Sequence, residues 1–132
     1  HGRAARRGGR RGISSLVCGD FNVVRCEADI KNWKPNHNKR AGVLDEEIAF
    51  LNQWVEEGWR DTVRDLAGDV QGPYSWWSWR GQAFVNNAGW RIDYQYATPA
   101  LGERARSFEI GRADEYAERF SDHAPVSVTY EI

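Results

Sequence analysis

Apolar residues of this chain occur in short runs, and polar or turn-forming residues close each run. The first run, Leu16-Val17-Cys18, has the length and composition of a short buried strand. Trp90 to Tyr94 and Val126 to Ile132 alternate between apolar and polar positions and predict two more strands. Arg106 to Ile110 predicts another, and the aromatic segment Tyr74 to Arg80 is also predicted to be a strand, because aromatic residues favour pleated sheets.

One helix is clearly indicated between these strands. Apolar side chains recur at helical spacing from Leu44 to Val55, Asp45 is a suitable N-cap, and Gly58 suits the position after the last turn. Thr98-Pro99 predicts the start of a second, short helix. The segment from Val23 to Gly42 has no steady period and is interpreted as a long surface loop. Strands that alternate with helices predict a layered α/β fold.

The length of 132 residues allows one domain or one half of a larger one. An apolar content of 41% with seven Trp is enough for a real core. No apolar run approaches the length of a membrane span and no signal peptide is visible, so no membrane partner is expected. Two cysteines, Cys18 and Cys26, form no disulfide framework, which favours a reducing cytoplasm.

Charge is distributed unevenly although the net charge is −1. Residues 1–45 contain ten of the 18 Lys/Arg residues but four of the 19 Asp/Glu residues. A basic N-terminal part and an acidic C-terminal part of the sequence suit an anionic ligand that meets carboxylates able to hold a cation. Four cations and three Asn lie within Lys31 to Arg40 and suit contacts with a phosphate backbone; a merely solvated loop is the alternative. The Gly/Arg-rich residues 1–12 fit a nucleic-acid arm, a vector remnant or, as we favour, a surface loop whose preceding half is missing.

Carboxylates lie at or beside three predicted strand ends: Asp20, Asp93 and Asp122. Asn22 is two residues from Asp20, so an extended backbone would point both side chains the same way; a simple turn is an equally good interpretation. Clustered carboxylates suit Mg²⁺ or Mn²⁺, and His123 beside an Asp suits acid–base chemistry. Each of these residues alone is more often structural, and only their occurrence together favours a site.

Four segments resemble, in order, the C-terminal half of the exodeoxyribonuclease III family. These bacterial apurinic/apyrimidinic endonucleases belong to the endonuclease/exonuclease/phosphatase superfamily. Gly19-Asp20-Phe21-Asn22 and Ser121-Asp122-His123 match motifs that are shared across that superfamily and specify phosphoester cleavage. Trp76 to Arg80 and Gly89 to Tyr94 narrow the resemblance to DNA repair. The resemblance covers Leu16 to Ile132 and implies half of a four-layered α/β sandwich, with one mixed, mostly antiparallel sheet and flanking helices.

The resemblance implies a role for each matching residue. Asp20 would activate or orient the attacking water, and Asn22 would position it or bind the phosphate. His123 would contact the scissile phosphate while Asp93 holds its ring, and Asp122 would serve at the metal site together with Asp20. The residues implied in substrate binding are Trp76, Trp90 and Ile92 around a flipped-out abasic sugar, and Arg80, Asn32 and Asn36 on DNA phosphates.

The function implied by the resemblance is DNA repair: Mg²⁺-dependent or Mn²⁺-dependent cleavage 5′ to abasic sites, with 3′→5′ exonuclease and 3′-phosphatase activity. The partner would be double-stranded DNA with abasic sites or 3′ ends, and the complete enzyme would be a cytoplasmic monomer. Residues 1–12 would be the loop that links two halves, and residues 13–132 the C-terminal half. The absent N-terminal half supplies a metal-binding Glu in the family, so this chain alone is expected to be nearly inactive.

The chain departs from the family pattern in one loop. Arg40 precedes Ala41-Gly42 where the resemblance implies a DNA-contacting Asn, a part that Asn36 or Asn38 could take. Two other functions stay open: a superfamily phosphoesterase that acts on a small phosphate substrate, and a non-catalytic module that binds single-stranded DNA or sugars on aromatic faces. The Trp-rich segment and the cationic loop weigh against the first of these.

Overall fold

The computed structural model describes residues 14–132, so the predicted linking loop at residues 1–12 lies outside the described residues. This part of the chain forms five strands, four helices and two short 3₁₀ turns. The strands are β1 Leu16–Asp20, β2 Arg60–Asp61, β3 Asp93–Ala97, β4 Ala105–Ile110 and β5 Val126–Tyr130. The helices are α1 Trp33–Asn36, α2 Asp45–Glu56, α3 Thr62–Ala67 and α4 Pro99–Gly102, and the 3₁₀ turns are Glu27–Asp29 and Tyr116–Glu118.

The predicted α/β class with antiparallel strands and flanking helices is confirmed, but the strands divide between two sheets where one was predicted. β1, β3 and β2 form a three-stranded sheet in that order, and β4 pairs with β5. Side chains link the two sheets: the Gln95 amide donates to the Val126 carbonyl at 3.1 Å, and the Tyr130 hydroxyl donates to Gln95 at 2.9 Å. Side-chain bonds therefore take the place of a backbone ladder between β3 and β5.

The sequence predicts that strand β1 is buried, but the structure shows that much of it is exposed. Leu16 is 42% exposed, and Cys18 is also exposed. Within residues 14–132, β1 pairs with β3 alone, so its other edge meets no strand of the described chain. Its position opposite β3 is nevertheless well defined, because the register places Asp20 directly across from Asp93.

The predicted strand from Tyr74 to Arg80 is wrong, since only Trp76 makes bridge pairs. Trp76 bridges Trp90 on one side and His123 on the other. The next backbone N–H, that of Trp77, donates to the Asp122 carbonyl at 3.0 Å. Hydrogen bonding thus changes partner from one residue to the next, and no continuous ladder forms. The Trp76 bridges instead bring His123 next to the segment that begins at Trp90.

The segment from Val23 to Gly42 is not a structureless loop. It contains a 3₁₀ turn and helix α1, and it buries Val24 and Ile30. These two side chains pack with Val43 and Ile92 in one hydrophobic cluster, against which Trp76 and Trp90 also pack. The loop is therefore folded onto the strand segment that carries the candidate site.

Helix α2 is confirmed, and it supports the other main cluster. Leu51 and Trp54 are buried against Tyr94 and Tyr96 of β3. The helix begins at Asp45, one residue earlier than an N-cap at Asp45 would place it, and Leu44 is the N-cap. The Leu44 N–H donates to the carboxylate of Glu47 at 3.1 Å, which satisfies an amide at the helix start.

A buried ion network joins three parts of the chain. Arg91, 1% exposed, donates to Asp29 at 2.8 and 3.0 Å and to Asp61 at 2.9 and 2.7 Å. Arg25 also donates to Asp61, and Arg64 to Asp29. Burial by itself would raise the pKa of each Asp. The charge and hydrogen bonds of Arg91, with those of Arg64 at Asp29 and of Arg25 at Asp61, outweigh burial and hold both pKa values below their ordinary value. The sequence pattern placed Arg91 on the face opposite Ile92 and gave no sign of its burial.

We expect Arg91→Met to destabilise the protein by about 3–5 kcal/mol, because it leaves Asp29 and Asp61 buried with incomplete compensation. The free energy of unfolding in urea measures the change. Arg106→Met is a matched control, since Arg106 is half exposed and its ion pair with Glu131 spans 3.7 Å. That control is expected to stay within about 0.5 kcal/mol of the parent protein. Equal losses in both variants would contradict a special role for Arg91.

Acid is expected to weaken the same network. Folding lowers the pKa of Asp29 and Asp61, so the stability they contribute is complete above their unfolded pKa of about 3.9 and is lost as the pH falls through the folded values. The free energy of unfolding should therefore fall with pH below about pH 4. In Arg91→Met this slope should be smaller, because both folded pKa values rise towards the unfolded ones. An unchanged slope would show that Arg91 does not hold the two carboxylates ionised.

Candidate active site

Three carboxylates and one histidine converge where β1 and β3 pair. The register of these strands sets Asp20 opposite Asp93, and the Trp76 bridge brings His123 to both. The Nδ1 atom of His123 lies 2.9 Å from an oxygen of Asp93, and its Nε2 atom lies 3.4 Å from Asp20 and 4.0 Å from Asp122. The structure thus brings together the four charged residues that the sequence singled out.

The surrounding carboxylates favour the protonated form of His123. Partial burial works to lower the pKa of its ring, but the hydrogen bond and charge of Asp93, together with the charges of Asp20 and Asp122, outweigh burial. The net result is a pKa above the ordinary value for histidine. The ring is therefore an oriented cation or, when neutral, a group whose Nδ1–H donates to Asp93 and whose Nε2 faces Asp20.

Asp20 and Asn22 form a turn and also belong to the site. The N–H of Asn22 donates to the Asp20 carboxylate at 2.8 Å, and Asn22 has φ of 58°. The predicted extended geometry, with both side chains aligned by strand alternation, is wrong because β1 ends at Asp20. Gly42 packs closely here: a Cβ at this position would lie 2.7 Å from the Asn22 carbonyl oxygen and 3.0 Å from the Trp90 ring.

The predicted pocket residues meet in one cavity beside the charged cluster. This cavity, which we call the aromatic cavity, has a volume of 360 Å³ and is lined by Trp76, Trp90, Ile92, Asn22, Arg40 and Ala41. The rings of Trp76 and Trp90 meet edge to face, with centres 5.6 Å apart. The indole N–H of Trp76 donates to the Asp122 carboxylate at 3.0 Å, so one side chain both walls the cavity and orients a charged group of the site.

The predicted phosphate-binding residues lie apart from this cavity. Asn36 donates to the Asn32 carbonyl at 2.7 Å, and Arg80 is exposed on a loop where its N–H donates to Ser78. Asn38 bonds both the N–H and the carboxylate of Asp45 and so caps helix α2. Arg40, and none of these Asn residues, lines the aromatic cavity. Contacts of Asn32, Asn36 and Arg80 with phosphate stay predictions.

Ser75 is a site residue that the sequence did not reveal. It is fully buried, and its hydroxyl accepts hydrogen bonds from the N–H groups of Ile92 and Asp93 at 3.0 and 3.1 Å. Its carbonyl accepts from the N–H of Ala124 at 2.8 Å. Ser75 therefore holds the backbone of three residues in place: Ile92 in the cavity wall, Asp93 of the charged cluster, and Ala124 next to His123. A lone Ser among aromatic residues carries no signal of this role in the sequence.

Arg119 is a second residue whose role the sequence did not reveal, and it supports the Trp-rich segment at residues 74–80. Its guanidinium donates to the Trp77 carbonyl at 2.6 Å and lies 4.1 Å from the centre of the Trp79 ring. This contact ties the segment before the Ser121-Asp122-His123 motif to the one that carries Trp76. The sequence identified Arg112 to Phe120 only as a charged loop or short helix.

The oxygen donors of the site fit a hard divalent cation. Asp20, Asp93 and His123 place one ligand atom each within 4.8 Å of one another. Both ring nitrogens of His123 already face carboxylates, so His123 fits poorly as a ligand. Asp20 and Asp122 are partly exposed and present oxygen atoms of the kind that Mg²⁺ and Mn²⁺ bind. Asp122, which the resemblance pairs with Asp20 at the metal, lies outside this group of three, and its role as a ligand stays a prediction.

Comparison with known proteins decides the family. The sequence profile of the Endonuclease/Exonuclease/phosphatase family matches residues 2–123. This chain belongs to that family. It is 40% identical over 117 residues to an exodeoxyribonuclease of Bacillus subtilis, covering 89% of this chain and 44% of that protein. It is 34% identical over 117 residues to a DNA-(apurinic or apyrimidinic site) endonuclease of Dictyostelium discoideum, covering 89% of this chain and 31% of that protein. The chain thus spans less than half the length of these relatives.

Two solved structures share the fold of this chain. A 3′ phosphatase from Neisseria bound to a product DNA hairpin superposes with a TM-score of 0.85 at 25% identity, over 99% of this chain and 50% of that one. An AP endonuclease from Archaeoglobus fulgidus gives a TM-score of 0.81 at 21% identity, over 99% of this chain and 51% of that one. The resemblance inferred from four sequence segments is thereby confirmed. In residues 14–132, no helix has the length and apolar character needed to cross a membrane.

We expect Ser75→Ala to cost about 1–3 kcal/mol of stability, because it leaves two buried N–H groups without their acceptor. Hydrogen exchange should show lost protection at the amides of Ile92 and Asp93, while the unfolding free energy reports the total cost. Ser78→Ala is the matched control, since the Ser78 hydroxyl accepts the exposed N–H of Arg80. Unchanged protection at Ile92 and Asp93 would show that Ser75 does not hold this segment.

Proposed function

We propose that this chain is the C-terminal half of a DNA-repair nuclease that hydrolyses phosphodiester bonds at abasic sites, with 3′→5′ exonuclease and 3′-phosphatase activity. One observation carries the proposal: the Trp76 side chain joins a Trp-lined cavity to the cluster of Asp20, Asp93, Asp122 and His123. Phosphodiester hydrolysis needs such a charged cluster, and recognition of a sugar without a base needs such a cavity. The names of the relatives support this substrate class.

The residues of the chain have separate parts in this reaction. Asp20 is exposed and has its carboxylate anchored by the Asn22 N–H, so it is suited to orient the attacking water and accept its proton. His123, held by Asp93, offers a cationic N–H to a non-bridging phosphate oxygen. Asp20 and Asp122 would hold Mg²⁺ or Mn²⁺. When bound, that cation would polarise the phosphoryl group and neutralise developing charge.

The aromatic cavity would receive the flipped-out abasic sugar. Trp76, Trp90 and Ile92 offer apolar surface, against which a sugar without a base can pack. Arg80, Asn32 and Asn36 would contact phosphates of double-stranded DNA on either side. The partner is then duplex DNA with an abasic site or a 3′ end, and the complete enzyme would act as a monomer.

The other half of the domain would complete the cleft. A cleft of 540 Å³ lies between β1, β3 and the segment Phe120–Val126, and its lining is mostly apolar. Phe120, at its rim, is 92% exposed. Exposed apolar surface of this kind marks a contact region. We propose that an N-terminal half packs here and supplies the remaining metal ligand, which would leave residues 1–132 alone nearly inactive.

We expect Asp20→Asn and His123→Ala each to reduce cleavage by roughly 10²-fold or more in the full-length protein, because each removes a group that acts on the water or the phosphate. A nicking assay on duplex DNA with one abasic site and Mg²⁺ measures the rate. Asp69→Asn, an exposed carboxylate outside the cluster, is the control and should cleave at the parental rate.

The same assay separates the other interpretations. Binding of abasic DNA without cleavage by the parent protein would favour a binding module whose aromatic faces act without catalysis. Unchanged cleavage in both variants would contradict the catalytic roles proposed for Asp20 and His123. Weak competition by abasic DNA against a small phosphate ester would favour a phosphoesterase of small substrates. Robust turnover by the 132-residue chain alone would contradict the proposal that another half is required, and would leave the nuclease proposal standing.

A further inference from the structure

We propose that Arg40 is a specificity-determining residue of the aromatic cavity, selecting a sugar that carries a phosphate on its 3′ side. This inference rests on the proposed function, because it assumes that a DNA sugar enters the cavity. The inference concerns how the protein distinguishes damaged 3′ ends from one another. It assigns no new role to the residues that act in hydrolysis. The residue is the one at which this chain departs from the family pattern, where a neutral amide was expected.

The position of the Arg40 side chain is the first support. Its guanidinium carbon lies 5.7 Å from the centre of the Trp90 ring, on the same cavity that Asn22 lines. The attraction between a cation and an exposed indole face is weak, so Trp90 orients the guanidinium without neutralising its charge. The wall of an otherwise apolar cavity therefore carries one positive group.

The charge of Arg40 is also uncompensated. Among residues 14–132, no carboxylate lies within 4.0 Å of its guanidinium, and the side chain is exposed. Arg25, Arg64 and Arg91 contrast with it, since each of these is paired with a buried Asp. A free guanidinium offers two parallel N–H donors that match the oxygens of a phosphate.

The backbone around Arg40 is held close to the site. The Arg40 N–H donates to the Asn36 carbonyl, and the Arg40 carbonyl accepts from Val43, both at 3.1 Å. Two residues on, the Gly42 N–H donates to the Glu47 carboxylate at 2.7 Å. Gly42 itself contacts Asn22 and Trp90 so closely that no side chain fits there. Arg40 is thus placed by its loop at a defined wall of the cavity.

The arrangement of groups around the cavity indicates which phosphate of the substrate Arg40 would contact. The charged cluster, which would bind the scissile phosphate, adjoins the cavity through Asn22 and Trp76, and Arg40 stands over Trp90. A sugar stacked on Trp90 with its 5′ phosphate in the cluster would turn its 3′ substituent towards Arg40. A 3′ phosphate there gains charge-assisted hydrogen bonds, whereas a 3′ hydroxyl gains little.

The test compares two hairpin duplexes that end in the same tetrahydrofuran abasic analogue, one with a 3′ phosphate and one with a 3′ hydroxyl. Their dissociation constants with the full-length protein are measured by fluorescence anisotropy at fixed ionic strength, with chelator present so that the 3′ phosphate stays intact. We expect the parent protein to bind the 3′-phosphate hairpin roughly five- to tenfold more tightly. Arg40→Gln should abolish this preference, and Arg40→Lys should retain part of it.

Lys39→Gln is the matched control, because Lys39 is an exposed cation next to Arg40 that does not line the cavity. It should weaken both hairpins equally and keep their ratio. Equal binding of the two hairpins by the parent protein, or loss of the ratio in Lys39→Gln as well, would overturn the inference while the proposed function stands. If the full-length protein binds neither hairpin and does not nick abasic duplex DNA with Mg²⁺, the proposed function fails, and the role of Arg40 fails with it.

Discussion

The paired hydrogen bonds from Arg91 to Asp29 and to Asp61 are the interaction on which the site depends. One buried guanidinium bonds two carboxylates, and those carboxylates belong to the turn at Asp29 and to the start of helix α3 at Asp61. A planar guanidinium fixes the orientation of both partners. Since Trp90 and Ile92 flank Arg91 and line the cavity, a network that touches no substrate sets the position of the cavity wall.

The protein thus keeps two groups of charges with different surroundings. The Arg91 network is buried, and its carboxylates are ionised because cations contact them directly. The second group is half open to solvent and carries an excess of carboxylate around one histidine. Such an excess attracts a cation and favours the protonated form of His123. Ser75 and Trp76 connect the two groups, because they bond the backbone beside Arg91 on one side and the Asp122–His123 segment on the other.

Local patterns predicted the elements whose residues interact mainly with their sequence neighbours. Helix α2 and strands β4 and β5 lie where the local pattern of residues predicted them, and helix α4 begins where Thr98-Pro99 predicted a helix start. The prediction failed where partners are distant. Tyr74 to Arg80 has the composition of a strand, but Trp76 and Trp77 bond different segments. Strand β1 reads as buried because it is apolar, whereas its burial depends on what covers it.

The sequence by itself determined the family and the identity of the charged residues, because motifs of three to seven residues carry both. Only the tertiary structure decided how these residues act. Arg91 finds Asp29 across 62 positions of the chain, and no local period records such a pairing. The same holds for the hydroxyl of Ser75 and for Arg40, which faces Trp90 only because Gly42 lets the backbone approach the site. Contacts between distant segments depend on packing, and packing is a property of the whole fold.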